Sequence, residues 1–548
     1  MSENIQKSPL PCGGGLGVGE TQSIKQGYKR TSLGILPQEW EVVRLGDICE
    51  FIKTYQNARS DLNENDEISY IHYGEIHTKY KHFIDFAKAK LPKINAKKLV
   101  KEFQEIAFCQ SGDLVVVDAS EDYTAVAKSV EIQNLNSKAV AGLHTFLLRD
   151  KANYFANGFK GYILYNSEVY NELKRLATGI SVLSISKTNL SNLQIPLPPL
   201  AEQEKIAQIL SVWDKGISVL KSLIEAKTKR KKALMQRLLT PPKTSHTDFS
   251  SCHSDKVCHT EPFSCHTERS EVSKNKGVDF VDTLAFSKHQ YDEVLDSCNS
   301  ATLCHTEGVA RSIQKDDLQG NAICLDSSVA SLPQNDRGKL HNVKNKPNES
   351  SLRFAEFTGK WQEMRLGDIL QEKSIKNTSN VNLVLSVTNK QGFVAQKDYF
   401  EQEVASNDTS NYKVVYKDEF AYNPARINVG SIAMLEKFEI GILSPMYVVF
   451  KCLEKVDNCF FRYWLESHNF IGVLHRYLSG SVRETLSFND MKTMHIFLPT
   501  LAEQKKIAQV LSACDKEIEL LKSKFQCLKT QKKGLMQRLL NGEVRVKC

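Results

Sequence analysis

Residues 200–210 read LAEQEKIAQIL and residues 501–511 read LAEQKKIAQVL, one segment used twice at an offset of 301. The same offset carries LMQRLL at 234–239 onto LMQRLL at 535–540, so the repeated unit spans the whole stretch between them. A second echo precedes each copy: RLGDI at 44–48 follows Trp40, and RLGDI at 365–369 follows Trp361. Repetition on this scale argues for two modules built to one plan.

The repeated stretches count as helices. Ile206, Leu210, Trp213, Ile217, Leu220 and Ile224 are spaced alternately by four and three, and Ile507, Leu511, Cys514, Ile518, Leu521 and Phe525 follow the same rhythm. That is the seam of a coiled coil. A helix of this length is a rod of roughly 60 Å, too long to be stable unsupported, so the two are expected to pair with each other. Antiparallel pairing would give the molecule pseudo-twofold symmetry.

Between the repeats the text is short apolar runs broken by polar punctuation, for example 68–71, 106–108, 114–117 and 146–148, then 381–387, 413–415, 430–435 and 447–451. These read as strands, with helices expected at 165–177 and 460–468. The fold class is α+β, two globular modules each followed by a long helix. The expected divisions are a flexible leader 1–27, module one 28–199, helix one 200–240, a disordered insertion 241–350, module two 351–499, helix two 500–542 and a tail 543–548. Prolines at 196, 198 and 199, and at 499, end the modules just before each helix.

Bulk properties exclude little. The 548 residues carry a net charge of +8 and 14 cysteines. A mildly basic balance permits nucleic acid without requiring it. No apolar run approaches the eighteen or so residues of a membrane span, so a cytoplasmic chain without membrane contact is expected, with its cysteines reduced. The glycines at 13–19 match neither a phosphate-binding loop nor a dinucleotide fingerprint. Cys-His-Thr-Glu recurs at Cys258, Cys265 and Cys304 but lacks zinc spacing, so no metal is expected. No catalytic constellation is found either. Asn423-Pro424-Ala425-Arg426 shares two residues with the Asn-Pro-Pro-aromatic motif of adenine methyltransferases, but lacks the aromatic that would stack on a flipped base.

Candidate DNA contacts come from elsewhere. Thr178, Gly179 and Ser181, with Lys187 beyond them, and Ser479, Gly480, Ser481 and Arg483 place glycine and small hydroxyl residues in loops ahead of the proline exits, where backbone N–H groups can approach phosphate or base edges. A plain helix-to-strand turn is the competing reading. Asn423, Arg426 and Asn428 form a third group. Basic runs at 227–243 and 522–538 are either solvated helix faces or contacts to phosphate or a partner.

These residues resemble the DNA specificity (S) subunit of type I restriction-modification systems. The resemblance rests on GILPQEW at 34–40, on the Pro-x-Leu-Ala-Glu-Gln helix starts, on LMQRLL and on YNPARINVGS at 422–431, and it covers the chain except the leader and 241–350. It implies a non-catalytic subunit with two target recognition domains, each reading half of a bipartite, asymmetric site on double-stranded DNA, while the helices set the gap. It also implies docking of two modification subunits that carry S-adenosylmethionine and of restriction subunits that use ATP and magnesium, with no cofactor on this chain, in a bacterium or archaeon. The long stretch 241–350 departs from the short connector usual there. Two other readings stand beside it: the recognition part of an adenine methyltransferase with its own activity, and a coiled-coil adaptor between proteins.

Overall fold

A computed structural model describes residues 24–100, 104–122, 126–242, 351–399, 408–479 and 484–546. The chain falls into two compact units, and the divisions cut both long helices: one lies between Ser218 and Val219, the other between Phe525 and Gln526. Each unit therefore holds one globular module, the first half of the helix that follows it, and the last half of the other helix. Each compact unit thus groups a module with helix from both repeats.

In the first unit a five-stranded sheet runs in the order Cys49–Ile52, Thr145–Asp150, Leu114–Val117, Ser129–Gln133, Phe83–Asp85, antiparallel except for the last pair. Leu114–Val117 is buried at every position. Its alternate residues feed two different cores: Leu114 and Val116 pack with Leu148, Ile206 and Leu210, whereas Val115 and Val117 pack with Ile71, Val130 and Ile132. A strand covered on both faces has no need for polar alternation, which is why it reads as an unbroken apolar run. A smaller sheet joins Ala139–Ala141, Ile68–Ile71 and Lys93–Ile94. Glu41–Arg44 pairs with Gln194–Leu197, tying the module's opening to its exit. Pro196 is tolerated there because this strand has a single partner.

The second unit repeats the logic. Its four-stranded sheet is ordered Leu370–Lys373, Val448–Cys452, Phe420–Tyr422, Ile432–Met434. Phe420, Tyr422 and Phe450 face a core that includes Ile507 and Leu511, and Ala421 and Val449 face a second core with Leu385 and Phe393. Gln362–Arg365 pairs with His495–Leu498, again joining opening to exit.

The repeated motifs acquire physical reasons. The glycine of RLGDI packs on the short helix before the exit strand: a Cβ on Gly46 would lie 1.9 Å from Ser191 Oγ, and one on Gly367 would lie 3.1 Å from Lys492 Cβ. The glutamine of LAEQ is a clamp. Gln203 Nε2 donates to the carbonyls of Pro198 (2.8 Å) and Tyr154 (3.0 Å), while its oxygen accepts from Ala156 N (2.9 Å). Gln504 does the same with Pro499 (3.0 Å), Lys455 (3.1 Å) and Asp457 N (2.9 Å). The glutamate before it is buried and paired in both copies, Glu202 with Trp40 and Arg545, Glu503 with Arg353.

Seam positions are covered: Ile206, Leu210, Trp213, Ile217, Leu220, Ile507, Leu511 and Ile518 are buried, and Ile224, Cys514, Leu521 and Phe525 are half-buried. The long helices are Leu200–Leu238 and Leu501–Leu540. Other expectations need correction. Residues 106–108 are not a strand; their polar groups go to side chains, Tyr55 Oη accepting from Ala107 N and Arg149 donating to the Phe108 carbonyl. The strand expected over 381–387 is displaced to Leu385–Thr388, because Val381 N is held by the Asn377 side chain instead. The helix expected over 460–468 ends at Glu466, and His468–Leu474 forms another.

The exits of the two long helices are equivalent. Val544 N donates to the Arg538 carbonyl (3.1 Å), and Leu352 N donates to the Arg237 carbonyl (3.0 Å), the two acceptors lying 301 residues apart. Arg545 then pairs with Glu202, and Arg353 with Glu503. One copy joins Leu540 to Val544 through Asn541-Gly542-Glu543; the other joins Leu239 to Leu352 through residues 240–351. Replacing 240–351 by Asn-Gly-Glu is therefore expected to leave the thermal unfolding midpoint unchanged; a clearly lowered midpoint would show that this stretch contributes to the fold.

His82 links burial to acid stability. Its ring lies 4.6 Å from Tyr162 and 4.7 Å from Tyr165, and Nδ1 is 3.1 Å from the Gly161 carbonyl. Burial pushes its pKa down to about 3. The unfolded chain takes up this proton below its ordinary value of about 6.5, so stability is complete above that pH and falls with acidification, by about 1.4 kcal/mol per pH unit. By pH 5 the loss is at most about 2 kcal/mol. His82→Gln should flatten the denaturation midpoint of the first unit between pH 6.5 and 5; an unchanged slope would reject the assignment.

Candidate nucleic-acid interface

In the first unit the segment from Thr178 to Ser184 is a closed hairpin. Thr178 N donates to the Ser184 carbonyl (3.0 Å) and Ser184 N to the Thr178 carbonyl (2.8 Å). Gly179 sits at φ +130°, and a Cβ there would lie 1.9 Å from the Val182 carbonyl oxygen, so the turn needs glycine. The hairpin stands on the sheet: Leu183–Ser184 pairs with Ala119–Ser120, and Ile185 N donates to the Asp118 carbonyl (2.8 Å). Thr178, Gly179 and Ser181 are exposed, and Ile180 at the tip is wholly exposed. Lys187 is exposed beyond the hairpin, its Nζ 5.1 Å from the Phe51 ring centre.

Beside this base lies a cluster that local sequence does not signal. The Tyr73 ring is 4.5 Å from His72, 5.3 Å from His144 and 6.2 Å from His77. His144 Nδ1 is 3.2 Å from Asp118 Oδ1, and Asp118 N donates to the His144 carbonyl (3.1 Å). Burial lowers the His72 pKa, with the Arg59 charge adding to it, so His72 is a neutral acceptor for Gly74 N near pH 7. Burial also raises the Asp118 pKa, against the pull of His144. Flat rings of this kind can stack on bases and hydrogen-bond to their edges. Among the described residues no group of three or more His, Cys, Asp or Glu side chains is placed to hold a metal ion. The Cys-His repeats lie outside the described residues.

The second unit has the matching hairpin base, Ser479 N to the Thr485 carbonyl (2.9 Å) and Thr485 N to the Ser479 carbonyl (2.9 Å). Gly480, Ser481 and Arg483 lie outside the described residues. The Asn423 group is brought directly to this base. Leu486 N donates to the Pro424 carbonyl (3.2 Å), Tyr422 Oη donates to the Leu486 carbonyl (3.2 Å), and Asn428 Nδ2 is 3.5 Å from Glu484 Oε2. Asn423 is buried, and its side-chain oxygen caps the turn of 3-10 helix Pro424–Val429 by accepting from Ala425 N (3.1 Å). Gly430, at φ +90°, closes the other end. Arg426 and Asn428 are held outward and exposed. Among the described residues Arg426 has no ion-pair partner, and Val429 and Met446 beside the turn are exposed.

The basic runs divide on inspection. Lys229, Arg230 and Lys232 are exposed on their helix, whereas Lys231 is drawn inward against Asp515. The corresponding Lys532 is buried against Asp214. The described helices include none long and apolar enough to cross a membrane.

Two modules of one plan, each with a hairpin base ahead of its exit strand and a long helix after it, define a duplicated recognition protein. The sequence model for the type I restriction modification DNA specificity domain matches residues 37–227 and 358–530, and the chain belongs to that family. It is 26% identical over 528 residues to the putative type I restriction enzyme MjaX specificity subunit of Methanocaldococcus jannaschii, covering 95% of this chain and 98% of that one. The MjaVIII specificity subunit of the same organism is 24% identical over 514 residues, 93% of this chain and 94% of that one. The EcoKI specificity subunit of Escherichia coli is 27% identical over 182 residues, 33% of this chain and 37% of that one. A crystal structure of the type I restriction-modification S subunit from M. genitalium aligns with a TM-score of 0.43 at 13% identity, over 91% of this chain and 96% of that one.

Proposed function

We infer that this chain is the DNA sequence-specificity subunit of a type I restriction-modification system. Family membership across both repeats is the observation that carries this reading. In it the two modules are target recognition domains that read the unlike halves of a split site on double-stranded DNA, because their hairpin bases present different side chains: Tyr73 and its histidines in one, Arg426 and Asn428 in the other. Thr178, Gly179, Ser181 and Lys187 face the first half-site, and Arg426, Asn428 and Ser479 the second. Asn423 shapes the turn that presents Arg426.

The long helices pair antiparallel along their seams and set the gap between half-sites, giving a pseudo-twofold arrangement. Paired positions within the second unit support this direction: Lys231 meets Asp515 and Lys227 meets Glu517, so one helix number falls as the other rises. The chain itself is non-catalytic. Two modification subunits supply S-adenosylmethionine chemistry, and restriction subunits with ATP and magnesium supply cleavage. The exposed Lys229, Arg230 and Lys232 are candidate docking residues for one of these.

Single-molecule mapping of N6-methyladenine tests the reading, comparing cells that express this chain and its modification subunit with cells lacking only this chain. A split motif found only in the first supports it and gives both half-sites and the gap. Identical maps would overturn it in favour of an adaptor, and binding of S-adenosylmethionine by the chain alone would favour a methyltransferase.

A further inference from the structure

Each unit contains one polar lock assembled from three separate parts of the chain. In the first, Tyr162 Oη donates to Asp214 Oδ2 (2.8 Å), Lys532 Nζ donates to the same oxygen (2.6 Å), and that Nζ lies 5.2 Å from the Tyr162 ring centre. In the second, Tyr463 Oη donates to Asp515 Oδ2 (2.7 Å), Lys231 Nζ lies 2.6 Å from Asp515 Oδ1, and that Nζ is 5.0 Å from the Tyr463 ring centre. All three positions of one lock map onto the other at the offset of 301. The tyrosine belongs to the module, the aspartate to the helix that follows it, and the lysine to the other long helix.

The lysines are largely withdrawn from water, with 9% of the Lys532 side chain and 14% of the Lys231 side chain exposed, while Asp214 and Asp515 keep 23% and 33% of theirs at the surface. Their surroundings balance charge by different means. Tyr162 is flanked by the neutral His82. Tyr463 is covered by the Arg462 guanidinium at 4.2 Å, which approaches Asp515 at 3.6 Å, while Glu466 lies 3.8 Å from Lys231.

We propose that these two locks fix the axial register of the long helices and thereby the number of base pairs between the half-sites. The proposal rests on the specificity-subunit reading. An apolar seam specifies which faces meet but tolerates sliding, since after about seven residues apolar side chains oppose apolar side chains again. A buried ion pair has no such repeat. Sliding would strand a buried lysine away from its carboxylate, and an unpaired buried charge is among the costliest local changes. Asp214 and Lys231 are 17 residues apart on the first helix, and Asp515 and Lys532 are 17 apart on the second. The equal spacing lets both locks close at one register. A slip of seven residues, about 10.5 Å, corresponds to about three base pairs at about 3.4 Å each.

The test maps N6-methyladenine in cells expressing the modification subunit with wild-type chain, with Asp214→Lys, or with Asp214→Lys and Lys532→Asp together. Asp214→Lys should lower methylation at the wild-type gap by at least about tenfold and bring methylation to sites with longer or shorter gaps, and the double reversal should restore the single wild-type gap. Wild-type methylation confined to the original gap in a folded Asp214→Lys chain would overturn the proposal. So would uniform loss at every gap, or failure of the folded double variant to restore the original one. Where Asp214→Lys does not fold, Asp214→Asn gives the same readout, with a few-fold loss and the same broadening of gaps expected. A wild-type chain that yields no split motif would instead count against the specificity-subunit reading itself.

Discussion

Arg353→Met should cost the second unit about 3–5 kcal/mol of stability, the range found when one partner of a buried ion pair is removed. The Glu503 side chain is 1% exposed, and Arg353 meets it through two parallel bonds, Nε to Oε1 and Nη2 to Oε2, both 2.8 Å. Without the guanidinium the carboxylate remains at the start of a helix, where Thr500 Oγ1 contacts its backbone N and no second cation is within ion-pair distance among the described residues. The urea midpoint of the second unit reports the loss, and a shift below about 1 kcal/mol would contradict it. Removing both charges with Arg353→Met and Glu503→Leu should recover most of the stability, because the penalty comes from stranding one ion. Arg545→Met should cost less, about 1–3 kcal/mol, since Glu202 keeps its bond from Trp40 Nε1 (2.8 Å) and Arg545 is more exposed.

Arg426→Ala should weaken DNA binding about 10- to 100-fold, the worth of one good base-edge contact. The turn that holds Arg426 is anchored at both ends, by the Asn423 cap and by Gly430, so its side chain is presented from rigid backbone. Binding to the cognate duplex and to a scrambled duplex, measured across salt concentrations, distinguishes two origins. Loss confined to the cognate duplex marks base readout; equal loss on both, with the salt slope reduced by about one, marks a phosphate contact. No change on either duplex would remove Arg426 from the interface. Asn423→Ala should act differently, lowering stability by about 0.5–2 kcal/mol through loss of the cap.

Much of the architecture was legible because it is periodic. The seam positions from Ile206 onward and from Ile507 onward announce helices by spacing alone, and the duplicated RLGDI and LAEQ segments announce two modules. Strands were legible where burial is continuous, as at Leu114–Val117, and illegible where side chains replace the ladder, as at residues 106–108. Phe83–Asp85 escaped notice because so short a segment lacks any pattern of its own. The candidate interface was half legible: the hairpin at Thr178–Ser184 stands out locally, whereas Tyr73, His77, His144 and Asp118 come from segments far apart in the chain. Asp214 and Lys231 were invisible for a different reason. A charged residue on a helix reads as a solvated one, and only the partner across the seam says otherwise.

The pairing of Glu202 with Arg545 spans 343 residues. During synthesis the ribosome finishes the first module long before it makes the helix end that completes that module's core, where Met536, Leu539 and Leu540 join Ile206 and Leu210. At about 5–20 residues per second the delay is roughly 15–70 s. For that interval the part of this core that Met536, Leu539 and Leu540 will cover is open to solvent, a natural landing place for chaperones and a point of vulnerability to proteases. The N-terminal half of the protein is thus the first to be made and the last to be sealed, and a nonsense mutation near the distal end would injure the module encoded at the start.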